Sequence, residues 1–266
     1  MLRRAASKLE LMVNSKIKCL ALVVLLALSA SACACAQDTQ TMPPHGMGPG
    51  MRAMVNPLYD RVRPRGVGVF VEGGNGLTDR SGFHFVSAGG HAGKVLTPNY
   101  GSGATRVNFE YGVEVIPLWQ SFTPKFQRVS CTQPAGSAAI QCSQPYTVGG
   151  RFTGVSVVPI ILRANFAGNR KLSPWIQGAG GVLYTTHKYP SYGDTTVNLQ
   201  TNGPNGDASV WNFTPQFGVG AHYFTRADRS FDFSANAVHI SSASLGDRNP
   251  GVNASIQFAL GYTWWK

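Results

Sequence analysis

The stretch that decides the fold runs from Phe231 to Lys266, FDFSANAVHISSASLGDRNPGVNASIQFALGYTWWK. Phe231, Phe233, Ala235, Ala237, His239 and Ser241 share one parity, so in an extended chain with a two-residue repeat they share one face. The other parity is polar through Asp232, Ser234 and Asn236, then turns apolar at Val238 and Ile240. After a loop, Ile256, Phe258, Leu260, Tyr262 and Trp264 form a second apolar row, backed by Ser255, Gln257, Ala259, Gly261 and Thr263. Two consecutive strands with one apolar and one small or polar face, ending at an aromatic C-terminus, are the pattern of a lipid-facing barrel with a wet interior.

Working outward, the chain has 266 residues, 31 of them Gly, and only 13% are charged. No apolar run beyond the first forty residues is long enough for a membrane helix, so a membrane crossing there must be made of strands. A soluble β-sandwich or lipocalin-like barrel would also alternate. It would point its aromatics inward and its charges outward, and there are too few charges here to coat such a surface.

Eight strand-like segments are read, at about 66–76, 83–96, 105–118, 150–165, 174–186, 209–224, 229–241 and 253–265. They predict an all-β, eight-stranded antiparallel transmembrane β-barrel of the outer-membrane type over residues 66–266. The third and sixth alternate most cleanly. Val107, Phe109, Tyr111, Val113 and Val115 oppose Arg106, Asn108, Glu110, Gly112 and Glu114. Trp211, Phe213, Phe217, Val219, Ala221 and Tyr223 oppose Asn212, Thr214, Gln216, Gly218, Gly220 and His222. Mixed charges on one face of a membrane strand belong inside, paired or hydrated. Pro117, Pro159 and Pro215 each remove a ladder donor and imply a bulge or a strand end.

The N-terminus sets the compartment. The apolar run 19–30, CLALVVLLALSA, follows Lys16 and Lys18 and precedes Ala34-Cys35-Ala36, an A-x-A-like cleavage site, so residues 1–36 read as a signal peptide. Lipid attachment at Cys33 competes, but the residue that would open a lipobox is Ala30 and not Leu. Residues 37–65, rich in Met, Pro and Gly, have the composition of a flexible segment, and the lone His45 among methionines is too sparse for a copper site.

Removing the signal takes five Lys/Arg and one acid from totals of 23 and 12, leaving 18 against 11, a charge of +7. That suits an anionic partner such as phosphorylated outer-leaflet lipid. Nucleic acid is excluded as a partner by the scatter of the basic residues and by the compartment. Of five cysteines, only Cys131 and Cys142 lie beyond the signal, and a close even pair in an exported chain reads as a disulfide stapling a loop.

With both termini in the periplasm, odd strands run outward, and the long joins at 119–149 and 187–208 fall outside the cell. Strand seven then ends at the outer surface. His239 and Ser241 therefore belong to the lipid-facing side at outer-leaflet depth, where acyl chains meet sugars. A serine becomes a nucleophile when a nearby histidine takes its proton and a third group orients that histidine. His-x-Ser by itself is also what an interfacial histidine beside a strand-ending serine looks like.

The run from His239 to Asn253, HISSASLGDRNPGVN, resembles the C-terminal signature of the lipid A 3-O-deacylase family of outer-membrane barrels: His-x-Ser-Asn-Ala at the end of the seventh strand, then an Asn-x-Gly turn and the final strand. The resemblance is specific over about the last 35 residues and architectural over the rest of the barrel. It implies Ser241 as nucleophile, His239 as general base and Asn249 as a donor to the oxyanion. It implies removal of an ester-linked acyl chain from lipid A in the bacterial outer membrane, without metal or organic cofactor.

Two positions depart from the signature. Asn253 stands where family members carry a Glu that orients the histidine, and Ser242 where they carry Asn. An Asn carbonyl can accept the imidazole N–H, as in Cys-His-Asn arrangements, but lacks the full charge that steadies an imidazolium. Asp247 is a substitute acid, though beside Gly246 and Arg248 it reads more simply as a turn residue. Arg248 is either a holder of lipid phosphate or a solvated loop charge. The departure at 253 also supports the rival reading of a non-enzymatic small barrel, structural or adhesin-like. His84, His91, His187 and His222 lack metal-ligand spacing, and interior hydrogen bonding is the default for His222. Gly178, Gly180 and Gly181 make no phosphate loop and are expected to relieve crowding in a tightly curved wall.

Overall fold

In the computed structural model, which describes residues 56–61, 63–102, 105–129, 131–132, 134–167, 171–189, 209–243 and 253–266, the last strand pairs with the first. The strands are β1 (Arg65–Gly76), β2 (His84–Val95), β3 (Val107–Arg128), β4 (Cys131–Thr132), β5 (Gln141–Cys142), β6 (Tyr146–Phe166), β7 (Leu172–Tyr189), β8 (Ser209–Arg226), β9 (Arg229–His239) and β10 (Ala254–Trp265). Eight of them close antiparallel in the order β1-β10-β9-β8-β7-β6-β3-β2, while β4 and β5 form a separate two-stranded ladder. The eight-stranded outer-membrane barrel expected from the alternation is therefore the observed fold.

The alternation is what closes it. Val67, Val69 and Val71 of β1 are exposed, as are Phe217 of β8, Phe233 of β9 and Phe258 and Leu260 of β10. The opposite parity is buried: Asn108 and Glu110 on β3, Asn212 and Thr214 on β8, Gln257 and Thr263 on β10. An apolar outside and a hydrogen-bonded inside suit a wall whose solvent is lipid. At the terminal end the outer band finishes in Phe231, Tyr262 and Trp264, packed ring to ring at 5.2 and 4.9 Å. At the other end Tyr184 and Trp211 pair at 4.9 Å. Two aromatic rows bounding an apolar band mark the two membrane interfaces.

The interior is a packed polar network between two apolar seals. Glu110 lies 3.6 Å from Arg163, whose guanidinium donates twice to Gln177 Oε1 and sits 4.3 Å over the Trp175 ring. His222 Nδ1 is 2.7 Å from Asp232 Oδ1, Ser230 donates to the same oxygen, and Thr263 donates to Oδ2. His91 Nε2 meets Thr263 Oγ1 at 2.9 Å. Towards the loop end, Phe85, Ile116, Trp119, Phe152, Leu183 and Ile240 belong to an apolar cluster. Towards the termini, Leu58, Val95, Ala167, Phe224 and Trp265 form another.

Leu58 comes from a segment that composition alone assigned to a linker. Asn56 accepts from the Leu58 N–H and starts a single helical turn, Pro57–Asp60. Asn99 and Asn108 donate to the Leu58 carbonyl, and Leu58 itself is fully buried. The defined structure thus begins before residue 65, because one apolar side chain has a seat at the barrel mouth. Residues 1–55, with the signal-like run, Cys33 and His45, lie outside the described residues.

Pro117 and Pro159 do what their missing N–H requires, whereas Pro215 lies inside β8, opposite Gly180, without the bulge or strand end expected of it. Pairing of β3 with β6 shifts between Ile116 and Trp119, around Pro117, and pairing of β6 with β7 shifts between Val157 and Ile160, around Pro159. The stretch 119–149, expected as a loop, is largely ladder. Trp119 to Thr123 pair with Gly154 to Gly150, and Phe126 to Arg128 pair with Val148 to Tyr146. The alternation runs on beyond the bulge at Pro117, with Phe122, Pro124 and Phe126 on one parity and Ser121, Thr123, Lys125 and Gln127 on the other. Cys131 pairs with Cys142 across its tip, and the two are joined by a disulfide. Among the three glycines of β7, only Gly181 is crowded, with Thr214 and Val158 where a Cβ would go. Gly178 and Gly180 face open space, so crowding is not their explanation.

Candidate functional site

The site is built where β9 runs out. His239 closes β9 and pairs with Ala254 at the start of β10. Two residues on, Ser241 exchanges both backbone hydrogen bonds with Phe213 of β8, at 2.6 and 2.9 Å. The Gln216–Val238 pairing has the same register, so Pro215 lies opposite His239. Pro215 has no N–H, and the β8–β9 ladder is interrupted at that step. The register itself continues through Pro215.

Parity then places the side chains. Ala237 and Phe213, which lie on either side of the pair, are on the exposed face, and His239 and Ser241 are themselves half-buried. Phe213 is two residues from Trp211 of the aromatic pair at the loop end. His239 and Ser241 thus share the parity of exposed Ala237, near the aromatic pair at the loop end. Behind them Val238, Ile240 and Ser242 point inward and are buried. The Ala243 N–H donates to Ser241 Oγ at 3.2 Å, and Ala243 takes φ 45°, a left-handed conformation unusual for a residue with a side chain.

Asn253 sits on the interior parity of β10 with Ser255 and Gln257 and is only 2% exposed. Its Nδ2 donates to the carbonyl of Ile240 at 3.2 Å, and its backbone carbonyl accepts the Ile240 N–H at 2.9 Å. The structure therefore brings Asn253 to the peptide between His239 and Ser241, from behind the wall, rather than placing it on the outer face that carries the imidazole. Asn249, Asp247 and Arg248 lie outside the described residues.

The other described histidines have other partners: His84 meets Asn75 at 2.7 Å, His187 stacks on Phe152, and His91 and His222 belong to the lumen network. A lumen cavity of about 40 Å³ is lined by Glu72, His91, Glu114, Arg163, Trp175 and His222 among others, and neither His239 nor Ser241 contributes to it. Among the described residues no cluster of three or more His, Cys, Asp or Glu has the geometry to hold a metal ion. Sequence reasoning missed the β8 side of the site, Phe213 and Pro215. The only signal for it was that strands six and seven are joined by a short turn, which makes them neighbours.

The family model for lipid A 3-O-deacylase (PagL) matches residues 103–263, more than half of the chain. The chain belongs to the lipid A 3-O-deacylase family. Its members' place, the bacterial outer membrane, is the place of this barrel. Among solved structures, the outer membrane enzyme PagL matches at 15% identity, covering 74% of this chain and 97% of that one, with a TM-score of 0.38. The N-terminal β-barrel domain of Pseudomonas aeruginosa OprF matches at 11% identity, covering 76% and 97%, with a TM-score of 0.35. The outer membrane protein OprG from Pseudomonas aeruginosa matches at 9% identity, covering 79% and 98%, with a TM-score of 0.35. No curated protein sequence matches the chain.

Proposed function

We propose that this member of the lipid A 3-O-deacylase family is a serine esterase in which Ser241 is the nucleophile and His239 the general base. The observation that carries the reading is the shared outward parity of the two side chains at the level of the Tyr184–Trp211 aromatic row. An ester between a fatty acid and the sugar of lipid A lies at that depth, so the nucleophile and the scissile carbonyl meet without the lipid leaving the membrane.

In the proposed reaction Ser241 Oγ attacks the ester carbonyl as its proton passes to the His239 imidazole. The tetrahedral intermediate collapses, the bond to the sugar 3-oxygen breaks, and His239 returns the proton to that oxygen. Water, deprotonated by His239, then attacks the acyl-serine, releasing the fatty acid and restoring Ser241. Asn249 is assigned the oxyanion by the family signature alone. Asn253 acts on the His239-Ile240-Ser241 backbone, holding the central carbonyl through its amide. Residues 1–36 are a secretory signal removed on export, which an outer-membrane destination calls for.

The test is mass spectrometry of lipid A from a host without any such deacylase, expressing the wild type, Ser241→Ala or His239→Ala. Loss of one hydroxyacyl chain only with the wild type supports the reading. If all three insert as heat-modifiable barrels and none changes the lipid A, the esterase is abandoned for this substrate in favour of a structural or adhesin-like barrel.

A further inference from the structure

Directly behind Ser241, on the lumen side of the wall, two side chains face each other across the β8–β9 seam with polar atoms left over. Because Ser241 is paired with Phe213, the next residue, Ser242, lies opposite Asn212. Both are completely enclosed, at 0% and 1% exposure. Among the described residues Ser242 Oγ has no hydrogen-bond partner, and neither has Asn212 Oδ1. Thr214, next on the same face of β8 and opposite Ile240, carries a third such atom, Oγ1. Buried polar atoms without partners are rare in native proteins, and three backing one serine call for a physical account.

The chemistry of the two residues is complementary. A serine hydroxyl donates through a freely rotating O–H, and a carboxamide oxygen accepts. Directly opposed residues of an antiparallel pair have Cβ atoms about 4.5–5.5 Å apart, within reach of a direct bond or one bridging water. The other end of the same amide is already anchored, since Asn212 Nδ2 donates to the Ser209 carbonyl at 2.7 Å. One end of Asn212 is thus fixed at the first residue of β8, and its free Oδ1 lies on the face of β8 opposite Ser242.

Ser242 matters because it links Ser241 to Ala243. The Ala243 N–H donates to Ser241 Oγ at 3.2 Å, and the backbone torsions of Ser242, which lies between them, set that reach. We infer that Asn212 is a positioning residue for Ser241: its carboxamide holds Ser242 from inside the barrel and so fixes the backbone that presents Ser241 Oγ to the lipid side. It does not touch substrate, being on the opposite face of the wall. The inference rests on Ser241 being the nucleophile.

The experiment uses the full mature protein in detergent micelles with purified lipid A, measuring kcat and KM separately. Asn212→Ala and Ser242→Ala are each expected to lower kcat about tenfold with KM little changed, and the double variant to be no slower than either single one. Asn108→Ala, whose amide lies near the barrel mouth on Leu58 and Asn99, serves as the control for loss of an interior polar group. If the Ser242 hydroxyl were a bystander, its removal would leave kcat at the wild-type value. Unchanged kcat in Ser242→Ala, effects that multiply in the double variant, or a change in KM alone would each overturn the inference. Should Asn212→Ala not fold into a heat-modifiable barrel, Ser242→Ala decides by itself. Ser241→Ala run alongside separates the two levels: residual turnover there removes the nucleophile assignment, whereas its loss with normal Asn212→Ala turnover removes only the positioning role.

Discussion

The side-chain amide of Asn253 donates to the carbonyl of Ile240 at 3.2 Å, so the first residue before β10 holds the peptide that separates His239 from Ser241. In the proposed site Asn253 acts on the backbone beneath the imidazole. Asn253→Ala should therefore weaken turnover about tenfold, the effect of one hydrogen bond near 1.4 kcal/mol, and not abolish it. Steady-state deacylation of lipid A by the two variants, Asn253→Ala and Ser241→Ala, checks this. Complete loss with Asn253→Ala would return Asn253 to direct contact with the histidine.

His222 and Asp232 are hydrogen-bonded in the lumen, with Ser230 and Thr263 also bound to the carboxylate. Removing one partner strands the other in a closed interior. Asp232→Ala is expected to destabilise the barrel by about 3–5 kcal/mol, read as a lower denaturant midpoint for the heat-modifiable form. His239 and Ser241 are remote from this network, so the folded fraction should retain its turnover per molecule.

Phe217 tests which face meets lipid. It is 59% exposed in the middle of β8, with the polar Gln216 beside it on the other parity. Phe217→Arg should cost about 2–4 kcal/mol when the barrel folds into bilayers, the penalty for an arginine near the midplane. Folding equilibria in vesicles measure it, and a cost near zero would place this position outside the apolar band.

The Cys131–Cys142 disulfide ties the tip of the β3–β6 hairpin beyond the lipid. It closes a short local loop and no strand of the barrel depends on it. Cys131→Ser with Cys142→Ser should speed proteolytic nicking between 133 and 141 while leaving the heat-modifiable barrel intact. Loss of barrel insertion in the double variant would contradict that division.

Much of the barrel was legible in its residues because the rule linking them to structure is local. Val67, Val69 and Val71, or Phe231 and Phe233, point to lipid simply by alternating, and the segments read near 66–76, 209–224 and 229–241 are close to β1, β8 and β9. The projecting hairpin escaped although Phe122, Pro124 and Phe126 alternate with Ser121, Thr123, Lys125 and Gln127, because the bulge at Pro117 breaks the run of parity that leads into them. Leu58 escaped for a different reason: a single buried leucine has no periodicity.

For the site, the sequence by itself determined that His239 and Ser241 share the parity of Phe231 and Phe233, because an extended strand repeats every two residues. Only the tertiary structure decided what stands around them. That Pro215 and Phe213 flank the pair, that Asn253 reaches Ile240 from the lumen, and that Asn212 backs Ser242 all depend on register between strands. Register is set by closure of the whole sheet, from the Gly66–Trp265 pairing round to β8 and β9, and no single segment carries that information.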